Sequence, residues 1–141
     1  MKNNNIITVD GPSASGKGSL AKALAKELNF ILLDSGLLYR AYSYCFDQGQ
    51  NHSSAKNLFS NLKIDSIDHE MHVFEDNTDI TSTLRDEKIA KSASQLSSLK
   101  ETRDNLISFQ RDLATDNGLV ADGRDMGTVV FPDAGTKIFL V

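Results

Sequence analysis

The chain has 141 residues, 40% of them hydrophobic, which is enough for one ordinary core and too little for two independent domains. Its 15 Lys and Arg against 19 Asp and Glu leave a net charge of -4 with no polybasic run, which disfavours a nucleic-acid polymer as partner. The start MKNNN lacks the character of a signal peptide, and no apolar run approaches the roughly 18 residues needed to span a bilayer, so no membrane association and a soluble, cytoplasmic protein are expected.

Ile6 to Val9 is a short β-branched apolar run that stops at Asp10-Gly11-Pro12, where Gly and Pro end a strand and open a turn. From Ser19 the pattern changes to Leu20, Leu24 and Leu28 at four-residue spacing, with Lys22, Lys26 and Glu27 elsewhere, an amphipathic helix. Phe30 to Leu33 is a second strand-like run ending in Asp34-Ser35-Gly36, and Leu37 to Phe46 is helical in character. Strand and helix therefore alternate as in an α/β fold.

The stretch from Ser60 to Thr83 is polar and broken, with alternation at Met71-His72-Val73-Phe74 and a turn signal at Asp76-Asn77, and is read as a small β-rich insertion. Helical spacing resumes near Asp86. Leu96, Leu99, Leu106 and Leu113 are read as one face of a long helix ending near Asn117-Gly118. Leu119 to Ala121 and Lys137 to Val141 are two further candidate strands, and all four strands are expected in one parallel sheet with right-handed crossovers. The chain stops inside the last apolar run, which suggests a part of a longer protein. Cys45 is a lone cysteine, read as a buried small apolar residue. His69 and His72 are read as a polar strand face rather than metal ligands, and Phe74, Phe109 and Phe131 as core.

The strongest chemical signal is Gly11-Pro12-Ser13-Ala14-Ser15-Gly16-Lys17-Gly18-Ser19, a phosphate-binding loop between a strand and a helix. Such a loop presents backbone N–H groups to phosphate oxygens, so side chains are excluded at Gly11 and Gly16, and the helix that follows aims its positive end at the anion. Lys17 would reach the β- and γ-phosphates. Gly18 separates Lys17 from Ser19, the candidate magnesium-proximal hydroxyl. A second cluster, Leu33-Asp34-Ser35-Gly36-Leu37-Leu38-Tyr39-Arg40, lies at the carboxyl end of a strand, where open α/β sheets bind ligands. There Ser35 is either a helix cap or a ligand contact, and Arg40 follows one turn later. A third, Ala121-Asp122-Gly123-Arg124-Asp125-Met126-Gly127-Thr128, places two carboxylates beside an arginine at another strand end. Asp122 stands where an acid can hold magnesium through water. Arg103, at i+4 from Leu99 and i−3 from Leu106, is read as sharing its helix's apolar face, either snorkelling or directed into a cleft.

Together GPSASGKGS, LLDSGLLYR, Ser94-Gln95 and the ADGRDMGTVVFPDA segment at 121–134 resemble bacterial cytidylate kinases, of the nucleoside monophosphate kinase family, over essentially the whole chain. The resemblance implies ATP and CMP or dCMP as substrates, a magnesium ion with the ATP, and a monomer. It implies phosphate binding by the loop from Gly11 to Ser19, with Lys17, Arg40 and Arg124 as catalytic residues and Ser19 and Asp122 near the metal. For the acceptor it implies Ser35, Arg40 and Arg124, with Ser94, Arg103 and Asp125 facing cytosine. The expected organisation is a phosphate-binding-loop kinase core from 1–62 and 96–141, with 63–95 as an inserted monophosphate-binding element. Ala14 and Ser19 stand where that family carries Gly and Thr, both mild changes. The resemblance implies that relatives continue through a helix, an arginine-bearing lid, a fifth strand and a terminal helix, so this chain is expected to be inactive without its lid, binding nucleotide with turnover nearly abolished. The competing expectations are a kinase of another small metabolite and a noncatalytic nucleotide-binding fragment.

Overall fold

The computed structural model describes residues 2–12, 14–49 and 61–141. In chain order these form β1 (Asn3–Asp10), α1 (Lys17–Leu28), β2 (Ile31–Asp34), α2 (Ser35–Asp47), β3 (Leu62–Ile67), β4 (Glu70–Glu75) and β5 (Thr78–Asp79). A 3-10 turn (Thr83–Arg85), α3 (Glu87–Leu96), α4 (Lys100–Asp112), β6 (Leu119–Gly123), a π turn (Met126–Val130) and β7 (Ala134–Phe139) follow. The described residues group into two compact units.

The first unit, residues 1–35, 66–71 and 109–141, contains a four-stranded sheet in the order β2-β6-β1-β7, parallel throughout. All four expected strands lie in it, so this is an α/β fold with a parallel sheet flanked by helices. The last strand starts earlier than expected, at Ala134 rather than Lys137, and ends at Phe139. Pairing with β1 decides this: Asn3 already faces Ala134, and a register shift precedes Ile7 opposite Thr136.

Helix α1 covers one face of this sheet. Ala21 and Ala25 are fully buried against Val9, Leu32 and Val120, with Leu20 and Leu24 packed only partly and Leu28 left 43% exposed. The leucine stripe expected to face the core is therefore displaced by the alanines beside it, whose small side chains let the helix backbone approach the sheet closely. Lys22 Nζ donates to Glu70 Oε1 at 2.6 Å within the same unit.

The second unit comprises residues 36–65 and 72–108. The β3-β4-β5 sheet, of which residues 66–71 group with the first unit, supplies the expected β-rich element, and its turns carry positive φ at Asp68-His69 and at Asp76-Asn77, as tight hairpins require. Met71 and Val73 are buried, the alternation read from the sequence. His72 Nδ1 lies 2.8 Å from Asp79 Oδ2, and hydrogen bonds from Thr81 and His72 hold the Asp79 carboxyl down at about 2. In α2, Leu37, Leu38, Ala41, Tyr42 and Cys45 are buried. Cys45 thus fills core, and burial pushes its thiol up to about 11. Tyr42 stacks on Phe46 with ring centroids 5.3 Å apart and accepts from Asn105 Nδ2 at 3.1 Å.

The single long helix expected after Asp86 is two helices. Asp86 caps α3 by accepting from Lys88 N–H at 2.8 Å, and α3 stops at Leu96. Ser97 and Ser98 donate their hydroxyls back to the Ser94 and Gln95 carbonyls at 2.7 and 2.8 Å, offering local partners that compete with helix continuation. Leu99 is 45% exposed, so it marks no buried face. The buried stripe of α4 is Thr102, Leu106 and Gln110 instead, and Arg103, one position off it, is exposed. The apolar-face placement of Arg103 is corrected accordingly.

Candidate functional site

Strand β1 ends at Asp10, and after six intervening residues Lys17 opens α1. Between them the chain must turn without obstructing the helix N-terminus. A Cβ on Gly11 would lie 2.9 Å from Ser15 Oγ and 3.0 Å from the Leu140 carbonyl, so only glycine fits. Gly16 is the helix N-cap at φ 88°, and no side chain caps the helix or places an acid in its first turn. The positive end of α1 is therefore left to a ligand. Ser15 Oγ is buried and has no hydrogen-bond partner among the described residues. Ser13 lies outside the described residues. Ser19 is exposed in the first turn of α1.

Ala14 also sits in the left-handed region, at φ 63°. Alanine in place of the Gly that the resemblance implies is thus less mild than expected, because a Cβ in that conformation costs about 1 kcal/mol. Ala14→Gly is expected to raise stability by about 0.5–1 kcal/mol, a rise in Tm of a few degrees by thermal denaturation. A lower Tm would show that the loop is not held in this conformation.

The carboxyl ends of three neighbouring strands each bring an acid to this loop. Asp34 and Asp122 are register partners on β2 and β6, and Asp10 ends β1 opposite Gly123. Lys17 Nζ lies 3.2 Å from Asp122 Oδ1, with the two side chains 23% and 9% exposed. Among the described residues that oxygen accepts no hydrogen bond, so the lysine charge is what balances it. A Cβ on Gly18 would be 3.6 Å from Asp122 Oδ2, which brings the α1 backbone close to the same carboxylate. Burial pushes the Asp122 carboxyl up, Lys17 opposes this, and Asp34 and Asp10 add to the rise. Nearby carboxylates thus disfavour a bare charge and favour a cation.

Beyond β6, Arg124 is exposed and Asp125 half-buried at the entry to the π turn. Ser35, buried at the start of α2, lies beside β6, since a Cβ on Gly123 would meet Ser35 Cβ at 3.2 Å. The first unit therefore gathers Gly11, Ser15, Gly16, Lys17, Gly18, Asp122 and Ser35 at the carboxyl edge of one sheet. Arg40 is half-buried in α2, while Ser94 in α3 and Arg103 in α4 are exposed; all three belong to the second unit. Asp10 was read from the sequence only as the end of a strand, yet it is 2% exposed with both carboxylate oxygens engaged. Its position directly before the loop was the available signal. Among the described residues no group of three or more His, Cys, Asp or Glu could cage a metal ion, and no helix is long and apolar enough to cross a membrane.

Residues 7–141 match the model of the family described as cytidylate kinase. The chain is 46% identical to a cytidylate kinase of Pseudomonas fluorescens over 96% of its own length and 62% of that protein's. It is 42% identical to a cytidylate kinase of Mannheimia succiniciproducens, covering 99% of the chain and 65% of the relative. It also shares 41% identity with a bifunctional pantoate ligase/cytidylate kinase of Prochlorococcus marinus, of which it spans 29%. The chain thus spans less than two thirds of the curated relatives it matches. With the family matched from within β1 to the final residue, and the loop and strand-end acid in place, this chain belongs to the cytidylate kinase family.

Proposed function

We propose that the full-length protein transfers the γ-phosphoryl group of ATP to CMP or dCMP, giving ADP and CDP or dCDP, as a cytoplasmic, monomeric enzyme of pyrimidine metabolism. The observation that carries this reading is the uncapped α1 N-terminus beside the Lys17–Asp122 pair. An oxygen of the acceptor phosphate attacks the γ-phosphorus, the bond to the β–γ bridging oxygen breaks, and ADP leaves. Such a transfer demands positioning and charge stabilisation more than covalent chemistry. The loop from Gly11 to Ser19 binds the ATP phosphates through backbone N–H groups, Ser13, Ala14, Ser15 and Gly18 among them. Lys17 shifts from Asp122 to the transferring phosphate.

The donor set fits a magnesium ion: a buried carboxylate oxygen that accepts no hydrogen bond among the described residues, and a serine hydroxyl in the first turn of α1, are hard oxygen ligands. Ser19 and, through water, Asp122 would hold it. When bound, the ion offsets charge on the β- and γ-phosphate oxygens. The absence of a protein cage among the described residues suits an ion held largely by phosphates and water.

On the acceptor side, Arg40 and Arg124 hold the phosphate, Ser35 contributes a hydroxyl, and Ser94, Arg103 and Asp125 read cytosine. Residues 63–95 form the inserted monophosphate-binding element. Mixing the full-length protein with ATP, magnesium and CMP and resolving the nucleotides by ion-exchange chromatography is expected to give CDP and ADP in equal amounts. ADP without CDP would sink the proposal. Asp125→Ala is expected to narrow the preference for CMP over UMP by about tenfold or more, because a half-buried acceptor matched to the exocyclic amine is lost. Arg40→Ala should weaken both substrates alike. Equal losses for CMP and UMP in Asp125→Ala would reassign that residue to phosphate or metal positioning.

A further inference from the structure

The segment after β6 owes its shape to two charged residues distant from it in sequence. Asp10 Oδ1 accepts from Met126 N–H and Oδ2 from Gly127 N–H, each at 2.8 Å. At the other end of the same turn, Arg111 Nε donates to the Val130 carbonyl and its Nη2 to the Val129 carbonyl, each at 2.9 Å. A carboxylate thus holds the donors that open the π turn, and a guanidinium holds the carbonyls that close it. Each charge is opposite in sign to the turn's own dipole at its end, and charge-assisted bonds are the strong ones.

The turn in turn fixes Asp125, whose backbone carbonyl accepts from Val129 N–H at 2.9 Å and Val130 N–H at 3.2 Å. Packing leaves it little room to slide. A Cβ on Gly127 would fall 2.7 Å from Thr8 Oγ1 and 3.3 Å from the Lys137 side chain, so the turn lies directly on β1 and β7. Five-residue π turns are uncommon and concentrate at functional positions. This one joins the Asp-Gly-Arg-Asp segment to the sheet.

We propose that Asp10 and Arg111 are a pair of positioning residues that clamp the 126–130 turn from both ends and thereby set the placement of Arg124 and Asp125 toward the acceptor nucleotide. The inference rests on the reading of Arg124 and Asp125 as acceptor-binding residues. Neither clamp residue touches the acceptor. Both act through the backbone, so their loss displaces acceptor recognition and leaves the loop that takes ATP in place.

The test uses the full-length protein with Asp10→Asn, Arg111→Met, Arg111→Lys and Arg124→Ala, each checked for folding by thermal denaturation. Steady-state kinetics are measured with CMP varied at saturating ATP and the reverse, and the CMP-to-UMP ratio of kcat/KM is recorded. Asp10→Asn turns one acceptor into a donor facing an N–H, and is expected to raise KM for CMP at least about tenfold while KM for ATP stays within about twofold, since small misplacements at a site are costly. Arg111→Met should shift KM for CMP about threefold in the same direction and narrow the CMP-to-UMP ratio, with part recovered in Arg111→Lys. If Asp10→Asn fails to fold, Arg111→Met, at an exposed residue, decides the matter alone. CMP constants unchanged in both clamp variants, with CMP binding lost in Arg124→Ala, would overturn the clamp and leave the acceptor reading standing. Equal rises for ATP and CMP would also overturn it, because a purely structural role predicts that pattern. Arg124→Ala without effect on CMP would remove the acceptor reading and the clamp with it.

Discussion

Lys17→Ala in the full-length protein is expected to lower kcat/KM for ATP and CMP by at least about two orders of magnitude, the usual loss when a charge aimed at the transferring group is removed. Lys17 is the first residue of α1, with Nζ 3.2 Å from Asp122 Oδ1 and its side chain 23% exposed. That exposure leaves the ammonium free to exchange a carboxylate for a phosphate. The stability change is expected to be small, about 1 kcal/mol, because a partly exposed ion pair is worth little and Asp122 can take up a proton. The two effects separate cleanly in a paired measurement of turnover and Tm. Near-normal turnover would remove the phosphate-binding assignment of the loop, and a collapse in Tm would recast Lys17 as a structural residue.

Asp122→Asn is expected to act in opposite directions on activity and stability. Asn preserves shape and removes the charge that would hold magnesium through water, so kcat should fall about 10²-fold or more. Burial disfavours the Asp122 carboxylate, with Asp34 and Asp10 adding repulsion and Lys17 only partly relieving it. A carboxyl whose pKa is raised by folding costs stability above that folded pKa, and the cost fades as pH falls through it. The Asn variant should therefore be as stable as the parent or more so at pH 7. Its advantage should shrink on acidification, as the parent carboxyl becomes protonated. A variant less stable at pH 7 would mean that the Lys17 pair outweighs desolvation, and undiminished kcat would take Asp122 out of the metal's surroundings.

Local pattern made the sheet legible, because buried parallel strands read as short apolar runs and each of the four is bounded by Gly, Pro or Asp. The loop was legible for a related reason: its glycines answer to backbone geometry, a close approach that leaves no room for a Cβ at Gly11 and a positive φ at Gly16. Burial within the helices was harder to read. In α1 the alanines are buried deepest against the sheet while Leu20 and Leu24 pack only partly and Leu28 is exposed, since closeness of approach outranks side-chain size at that face. The Leu96-to-Leu113 stripe joined two helices that Ser97 and Ser98 separate, which carried Arg103 to a buried face it does not occupy. Asp10 and Arg111 were illegible as a pair, because their connection runs through backbone groups of residues 126–130, and sequence spacing holds no trace of such bonds.

The measurement that bears most directly on the proposed reaction is the ratio of kcat/KM for CMP and UMP in the full-length protein at saturating ATP and magnesium. Cytosine presents an acceptor ring nitrogen and a donor amine where uracil presents a ring N–H and a carbonyl. A site with Arg103 and Asp125 on the base would therefore set donor against donor and acceptor against acceptor with UMP. Unpaired polar groups of this kind cost about 1–3 kcal/mol each, so a preference for CMP of at least about tenfold is predicted. A ratio near one, or a preference for UMP, would contradict the account.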